Sequence, residues 1–250
     1  MKLHASSLRG ARLVYVTPAH QFPLGITMSL RRRLELLEWA RKSNAFIFED
    51  DYDGEFRYSG RPVLAMQGLD RSGHVLFSGS FSKVLFPSLR LGYLVTPPDL
   101  IPYFEAAKSI TTRHPPLIEQ AVLCDFMTAG HFGRHLRRMR EIYAGRLSAL
   151  QDAAKESLRG LLEISTVEAG LQTSGWLCAG VAAEGASKAA KAKDVEVVPL
   201  SVYSRRRSLR QGLQLGFAAI DEHEIRRGVR ELATVLERAA HAPSKRNGTA

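Results

Sequence analysis

The chain has 250 residues, 45% of them hydrophobic, and carries 35 basic against 25 acidic side chains, a formal charge of +10. That is long for one average domain and short for two, so a large domain with a smaller companion is expected. No apolar run approaches the length of about 18 residues that a membrane span needs, and Met1-Lys2-Leu3-His4 lacks the apolar core of a secretion signal. Cys124 and Cys178 have no metal-ligand spacing, which argues against zinc and against a disulfide scaffold. The expectation is a cytoplasmic protein with two reduced, buried thiols and no metal.

The positive charge gathers at residues 31–33, 134–146 and 205–207, each in or beside an expected helix or loop. These runs read as solvated faces or subunit contacts. No zinc finger, helix-turn-helix signature or aromatic-interleaved basic strand accompanies them, so no direct DNA binding by this chain is expected.

In chain order, Leu13-Val14-Tyr15-Val16 is a short β-branched run that ends at Thr17-Pro18 and reads as a buried strand. A loop over residues 18–25 opens a helix in which Ile26, Leu30, Leu34 and Leu37 recur at offsets of three and four. That apolar stripe continues to Trp39 and Ala40, with the arginines on the other side and Asn44 as the end. Ala45-Phe46-Ile47-Phe48 follows as a second strand, with Glu49-Asp50-Asp51-Tyr52-Asp53-Gly54 at its carboxyl end. Strand, helix, strand in this order predicts a parallel sheet with a crossover helix. A third strand over residues 74–77 ends at Ser78-Gly79-Ser80, and a fourth spans 91–95.

Residues 99–157 read as helical, with breaks at His114-Pro115-Pro116 and near Ala129-Gly130. Residues 161–167, 175–181, 195–198 and 213–218 read as strands, and 221–238 as a closing helix with Asp221 as N-cap and Glu224 as its capping-box partner. Residues 183–193 form an exposed helix or loop, and 242–250 a disordered end. The domain expectation is the carboxyl-terminal part of a large domain over 11–130, a linking helix over 131–158, a small α+β domain over 159–240 and a tail over 241–250.

Asp50 and Lys83 both fall just past strand carboxyl ends, where open α/β sheets bind ligands. Around them stand the parts that a pyridoxal phosphate site needs. The amine of Lys83 can hold an aldehyde as a Schiff base, and the hydroxyls of Ser80 and Ser82 with the guanidinium of Arg90 can hold a phosphate ester. Asp50 can keep a pyridine nitrogen protonated, and Tyr52 stands two residues on. Taken singly, each residue also fits a plainer role. Ser80 and Ser82 suit a helix cap, Asp50 and its neighbours a solvated acidic loop, Tyr52 core packing, and Arg90 an ion pair with Asp53 or Glu55.

Four segments carry a family likeness: Thr17-Pro18-Ala19-His20-Gln21-Phe22-Pro23-Leu24-Gly25, Glu49-Asp50-Asp51-Tyr52-Asp53-Gly54-Glu55-Phe56-Arg57-Tyr58, Gly79-Ser80-Phe81-Ser82-Lys83 with Leu89-Arg90-Leu91-Gly92-Tyr93, and Gly130-His131-Phe132-Gly133-Arg134-His135-Leu136-Arg137-Arg138-Met139-Arg140. As a set they closely resemble the aminotransferase-like domain of MocR/GabR-type transcriptional regulators. The resemblance implies the type I pyridoxal phosphate enzyme fold: α/β, a partial large domain with a mostly parallel sheet plus a small α+β carboxyl-terminal domain. It implies Lys83 as the Schiff-base lysine, Asp50 as partner of the pyridine nitrogen and Tyr52 as hydrogen-bond donor to the ring hydroxyl oxygen. Ser80, Ser82 and Arg90 would hold the phosphate, an amino acid or keto acid would be the small-molecule partner, and sites would lie at a homodimer interface. Two activities are compatible with it: an aminotransferase, or an amino-acid-sensing module that binds the cofactor without turnover.

Three departures accompany the likeness. Related aminotransferases lend an asparagine to the ring hydroxyl from an Asn-Pro-Thr-Gly loop, whereas Phe22-Pro23-Leu24-Gly25 offers no amide there, leaving His20 or Gln21 as substitutes. Gln214 stands where related enzymes often place a substrate-carboxylate arginine, with Arg210 four residues away. Family members also carry a winged-helix domain and the first half of the large domain before the segment that begins here near Ala11. The expectation is therefore a truncated or split gene product, or one whose start was assigned too late, that leaves apolar sheet surface open.

Overall fold

The computed structural model describes residues 8, 10–60, 64–113, 116–178, 180–205 and 210–241; the expected tail beyond residue 241 lies outside them. Two compact units divide the chain: Ile26–Arg138 with the residues up to Phe22, and Met139 onward with Pro23–Gly25.

The first unit holds a four-stranded sheet in the order β1 (Leu13–Val16), β2 (Phe46–Asp51), β3 (Val75–Ser80), β4 (Gly92–Val95). β1, β2 and β3 run parallel, and β4 is antiparallel to β3. Helix α1 (Leu30–Ser43) is the crossover between β1 and β2, as the strand–helix–strand order predicts. It stops where Asn44 adopts φ 45°, ψ 49°, a left-handed conformation whose cost asparagine's short side chain tolerates, and Asn44 N–H closes onto Ala40 O.

The helix face differs from the sequence expectation. α1 begins at Leu30 rather than Ile26, and Ile26, Leu30 and Leu34 are exposed. The buried positions are Arg33, Leu36, Leu37 and Ala40, an equally good helical spacing rotated about the axis. Leu36, Leu37 and Ala40 pack with Val16, Ile47, Val75 and Met66. Strand alternation sends Val14 and Val16 toward that core and leaves Leu13 and Tyr15 on the open side of the sheet, 56% and 61% exposed.

Two short helices flank β3. α2 (Met66–Leu69) precedes it and α3 (Phe81–Val84) follows directly. Helices α4 (Ile101–Thr111), α5 (Leu117–Thr128) and α6 (His131–Ser157) come next, with the division between units falling inside α6. α4 and α5 keep large apolar side chains in solvent, among them Tyr103, Ile110, Leu117 and Ile118.

The second unit has an antiparallel sheet in the order β5 (Leu162–Ile164), β6 (Gln172–Leu177), β8 (Gly212–Gly216), β7 (Val198–Pro199). Helix α7 (Ala183–Lys191) buries Ala183, Ala186 and Ala190, so it is amphipathic rather than wholly exposed. Helix α8 (Glu222–His241) closes the unit on an apolar face of Ile225, Val229, Leu232, Ala233, Val235 and Leu236. The N-cap is as expected: Glu224 N–H donates to Asp221 Oδ1 at 2.9 Å, satisfying a backbone donor that the first turn leaves open, while the Glu224 carboxylate, expected to close a capping box, accepts from Arg227 Nε at 2.8 Å instead. Cys124 and Cys178 are free thiols, but both are exposed, which corrects the expectation of burial. No described helix is long and apolar enough to cross a membrane.

Candidate functional site

The edge of the first unit's sheet collects the predicted residues. β2 and β3 are parallel with Asp50 opposite Ser78, so their carboxyl ends emerge side by side. Asp50 lies in β2 and Tyr52 just beyond it, while Ser80 ends β3 and Ser82 and Lys83 occupy the turn of α3. β4 starts at this same edge, with Gly92 opposite Ser80, and Phe81 N–H donates to Leu91 O at 3.1 Å. Arg90, immediately before, is thereby brought beside the Ser80–Lys83 turn. Lys83 and Arg90 are exposed, and Asp50, Tyr52, Ser80 and Ser82 are half-buried.

Local conformation supports this placement. Ser80 caps α3, its Oγ accepting from Ser82 N–H at 3.2 Å. His135 of α6 donates from Nε2 to Val84 O at 2.9 Å, pinning the turn next to Lys83. Arg90 sits at φ 51°, ψ 27° after the 3-10 turn Pro87–Leu89, a left-handed conformation uncommon for arginine. Gly79 lies against the ring of Tyr93 on β4, where a methyl group would collide with it. That close approach is why the Gly79-Ser80-Phe81-Ser82-Lys83 motif begins with glycine.

Asp50 has a partner that sequence reasoning missed. Tyr15 lies opposite Phe48 on β1, its ring 5.8 Å from that of Phe48, and its hydroxyl donates to Asp50 Oδ2. Burial of the phenol end and this bond to Asp50 push the Tyr15 pKa up to about 12. Pairwise register was the only signal that could have found it, since Asp50 follows Phe48 by two on the same face.

The acidic run that ends β2 and continues past it is not a solvated loop. Glu49 is buried and accepts from Met66 N–H at 2.8 Å and Gln67 N–H at 2.9 Å, the free donors at the start of α2. Burial raises its pKa even against those bonds and the nearby Arg33. Asp51 is also raised by burial, although it accepts from Gly54 N–H at 2.9 Å. Asp53 is 1% exposed, and its Oδ2 takes a hydrogen bond of 2.9 Å from Nδ1 of His20, which is 2% exposed. The hydroxyl of Tyr52 donates to His20 O at 3.0 Å and lies 3.1 Å from His20 Nδ1. Burial, followed by the charges of Asp53 and Asp50, raises the Tyr52 pKa far above the usual phenol range, so the hydroxyl keeps its proton.

The loop carrying His20 is braced by Arg33, 1% exposed. Its guanidinium donates to Met28 O and Leu64 O at 2.9 Å each and to Pro18 O at 2.6 Å. Glu49 stands 3.9 Å away, so each buried charge is solvated by backbone dipoles more than by the other. Burial accordingly lowers the Arg33 pKa while Glu49 opposes the shift.

The expected substrate-carboxylate candidates lie in the second unit. Gln214 of β8 donates to Gln172 Oε1 at 2.6 Å and accepts from the Tyr203 hydroxyl at 2.8 Å. Arg210 pairs with Glu163 at 2.9 Å and stacks on Trp176, its guanidinium carbon 4.5 Å from the ring centroid. A guanidinium already paired and stacked is not an open carboxylate clamp. Among the described residues no cluster of His, Cys, Asp and Glu suits a metal ion.

The family model for aminotransferase class I and II matches residues 4–232. The chain belongs to this family. Its relatives include a probable rhizopine catabolism regulatory protein, MocR, of Rhizobium meliloti, 41% identical over 93% of this chain and 49% of its own length. They also include aromatic-amino-acid aminotransferase 1 of Thermococcus litoralis, 30% identical over 90% of this chain and 54% of its length. The crystal structure of Pyrococcus horikoshii kynurenine aminotransferase, in complex with PMP, KYN as substrates and KYA as products, superposes with a TM-score of 0.84 at 31% identity, covering 91% of this chain and 56% of that one. The chain spans about half the length of the curated relatives it matches. The α/β aminotransferase fold, partially covered, and the likeness to the MocR-type aminotransferase region are thus as expected. Members of this family typically bind pyridoxal phosphate.

Proposed function

We propose that this chain is a pyridoxal-phosphate-binding aminotransferase-like domain that takes an amino acid as substrate or effector. The observation that carries the reading is the shared sheet edge: Asp50 and Tyr52 at the end of one parallel strand, Ser80, Ser82 and Lys83 at the end of its neighbour, and Arg90 beside them in a left-handed conformation. The donor set fits the group. Lys83 would supply the amine that holds it, Ser80, Ser82 and Arg90 would take its phosphate, Asp50 would serve its ring nitrogen and Tyr52 its ring oxygen. When bound, the group supplies an electron sink for a carbanion at the substrate α-carbon.

The protein's own contribution is positioning and proton transfer. Tyr15 holds Asp50 from the open face of the sheet, and His135 fixes the backbone next to Lys83. In a catalytic form Lys83 Nζ is the base that removes the α-proton. Residues 11–130 form the cofactor-binding part, 131–158 the linking helix and 159–240 the small domain, and the working form is a cytoplasmic homodimer.

A second reading has an observation in its favour: relatives at 41%, 38% and 36% identity are a regulatory protein and two HTH-type transcriptional regulators. On that reading the domain senses an amino acid without turnover. The test is a visible spectrum of the chain with pyridoxal phosphate, beside Lys83→Ala, followed by a steady-state transamination assay. A Lys83-dependent band with turnover supports the enzyme. The band with a single amino-acid-induced spectral change and no turnover supports the sensor, and a band unchanged in Lys83→Ala refutes both.

A further inference from the structure

We infer that His20, oriented by Asp53, is the positioning residue for the Tyr52 hydroxyl; this deepens the proposed cofactor site and rests on that reading. The Phe22-Pro23-Leu24-Gly25 stretch offers no amide for a ring oxygen, and the Nδ1 of His20 is engaged by Asp53. It acts through Tyr52 at two points, its backbone carbonyl 3.0 Å and its Nδ1 3.1 Å from the phenol oxygen.

The tautomer follows from the partners. A carboxylate accepts, so Nδ1 carries the hydrogen and donates to Asp53 Oδ2 at 2.9 Å. That same N–H faces the Tyr52 oxygen and so fixes where the phenol oxygen sits. The single phenol hydrogen rests on His20 O in this structure and would have to turn from it to a ring oxygen when the group binds, about an oxygen that His20 keeps in place.

The anchor is fixed on its other side as well. Thr27 Oγ1 donates to Ala19 O at 3.2 Å, Gln21 N–H to Ile26 O at 3.1 Å and Arg33 to Pro18 O at 2.6 Å, so the His20 carbonyl sits on a braced loop. Asp53 Oδ1 is buried with no hydrogen-bond partner among the described residues. A carboxylate kept out of water with half its acceptors unused is a poor device for stability and a good one for orienting a single imidazole. The charged and titratable groups around Tyr52 are Asp50, Asp51, Asp53, Tyr15 and His20.

The test is a double-mutant cycle on cofactor retention, with Asp53→Asn, an isosteric change, crossed with Tyr52→Phe. Asp53→Asn is expected to weaken pyridoxal phosphate binding about fivefold, the worth of one net hydrogen bond, and to move the pH at which the imine band titrates. In the Tyr52→Phe background it should do neither. Equal losses in both backgrounds, or no effect with Tyr52 present, overturn the inference, since a merely structural Asp53 acts independently of the phenol. If the parent chain shows no imine band, the cofactor reading fails separately and the unloaded chain decides this one. NMR should then find an exchange-protected His20 Nδ1–H resonance that shifts in Tyr52→Phe and is lost in Asp53→Asn. Its absence refutes the positioning role.

Discussion

Arg33→Met removes a buried cation while keeping most of its volume, and the structure sets the size of the effect. Three carbonyl oxygens, of Pro18, Met28 and Leu64, lose their donor, and Glu49 loses a buried cation 3.9 Å away. Each orphaned acceptor costs about 1–3 kcal/mol, and breaking a buried ion pair from one side costs about 3–5 kcal/mol. These costs overlap, because the loop of residues 17–28 can open to water, so the expected loss is about 3–5 kcal/mol. That is a large share of the roughly 5–15 kcal/mol that holds a domain folded. In urea, with a slope of about 1–3 kcal/mol per molar, it lowers the midpoint by at least about 1 M. The assay is urea denaturation followed by circular dichroism, with Arg31→Met as control. Arg31, two residues away, is 87% exposed and pairs with Glu35 at the surface, so its loss should leave the midpoint unchanged. Equal midpoints for the two variants would refute the claim that Arg33 braces this loop.

Gly79→Ala should cost about 1–3 kcal/mol by displacing the Tyr93 ring from β3, a loss that Tyr93→Ala in the same chain largely cancels when midpoints are compared in a double-mutant cycle. Asp70, half-buried, accepts from the N–H groups of Ser72, His74 and Val75 at 2.8, 2.6 and 2.9 Å. Burial alone would raise its pKa, but these bonds together hold it below its ordinary value. A depressed carboxylate stabilises the fold above its unfolded pKa and loses that contribution as pH falls through the folded one. The stability gap between the parent and Asp70→Asn, about 1 kcal/mol at neutral pH after allowing for solvent screening, should therefore close as pH drops below the ordinary carboxylate value of 3.8. A gap that persists or widens in acid would contradict that sign.

The parts of the fold and site that were legible in the sequence are those that depend on local pattern. β-branched runs, Pro and Gly breaks and the Asp221 cap marked most elements, and the strand–helix–strand order placed Asp50 and Lys83 at one sheet edge. What escaped was set by partners distant in the chain. Glu49 and Asp53 read as solvated because nothing near them in sequence reveals Met66, Gln67 or His20. Arg33 read as surface because a helical stripe through Leu30 and Leu34 fits the periodicity as well as the one through Arg33, Leu36, Leu37 and Ala40. Only the three carbonyls that capture its guanidinium decide between them. Tyr15 was hidden because its hold on Asp50 depends on the parallel register of β1 and β2, which periodicity does not encode.

The central claim is that the sheet edge at Asp50, Tyr52, Ser80, Ser82, Lys83 and Arg90 holds pyridoxal phosphate through Lys83. The most direct measurement is the visible absorption of the purified chain titrated with pyridoxal phosphate, in parallel with Lys83→Ala. The expected result is a saturable imine band in the parent that is absent from Lys83→Ala, with both proteins folded by circular dichroism. A folded parent with no band, or a band of equal strength in both proteins, would contradict it.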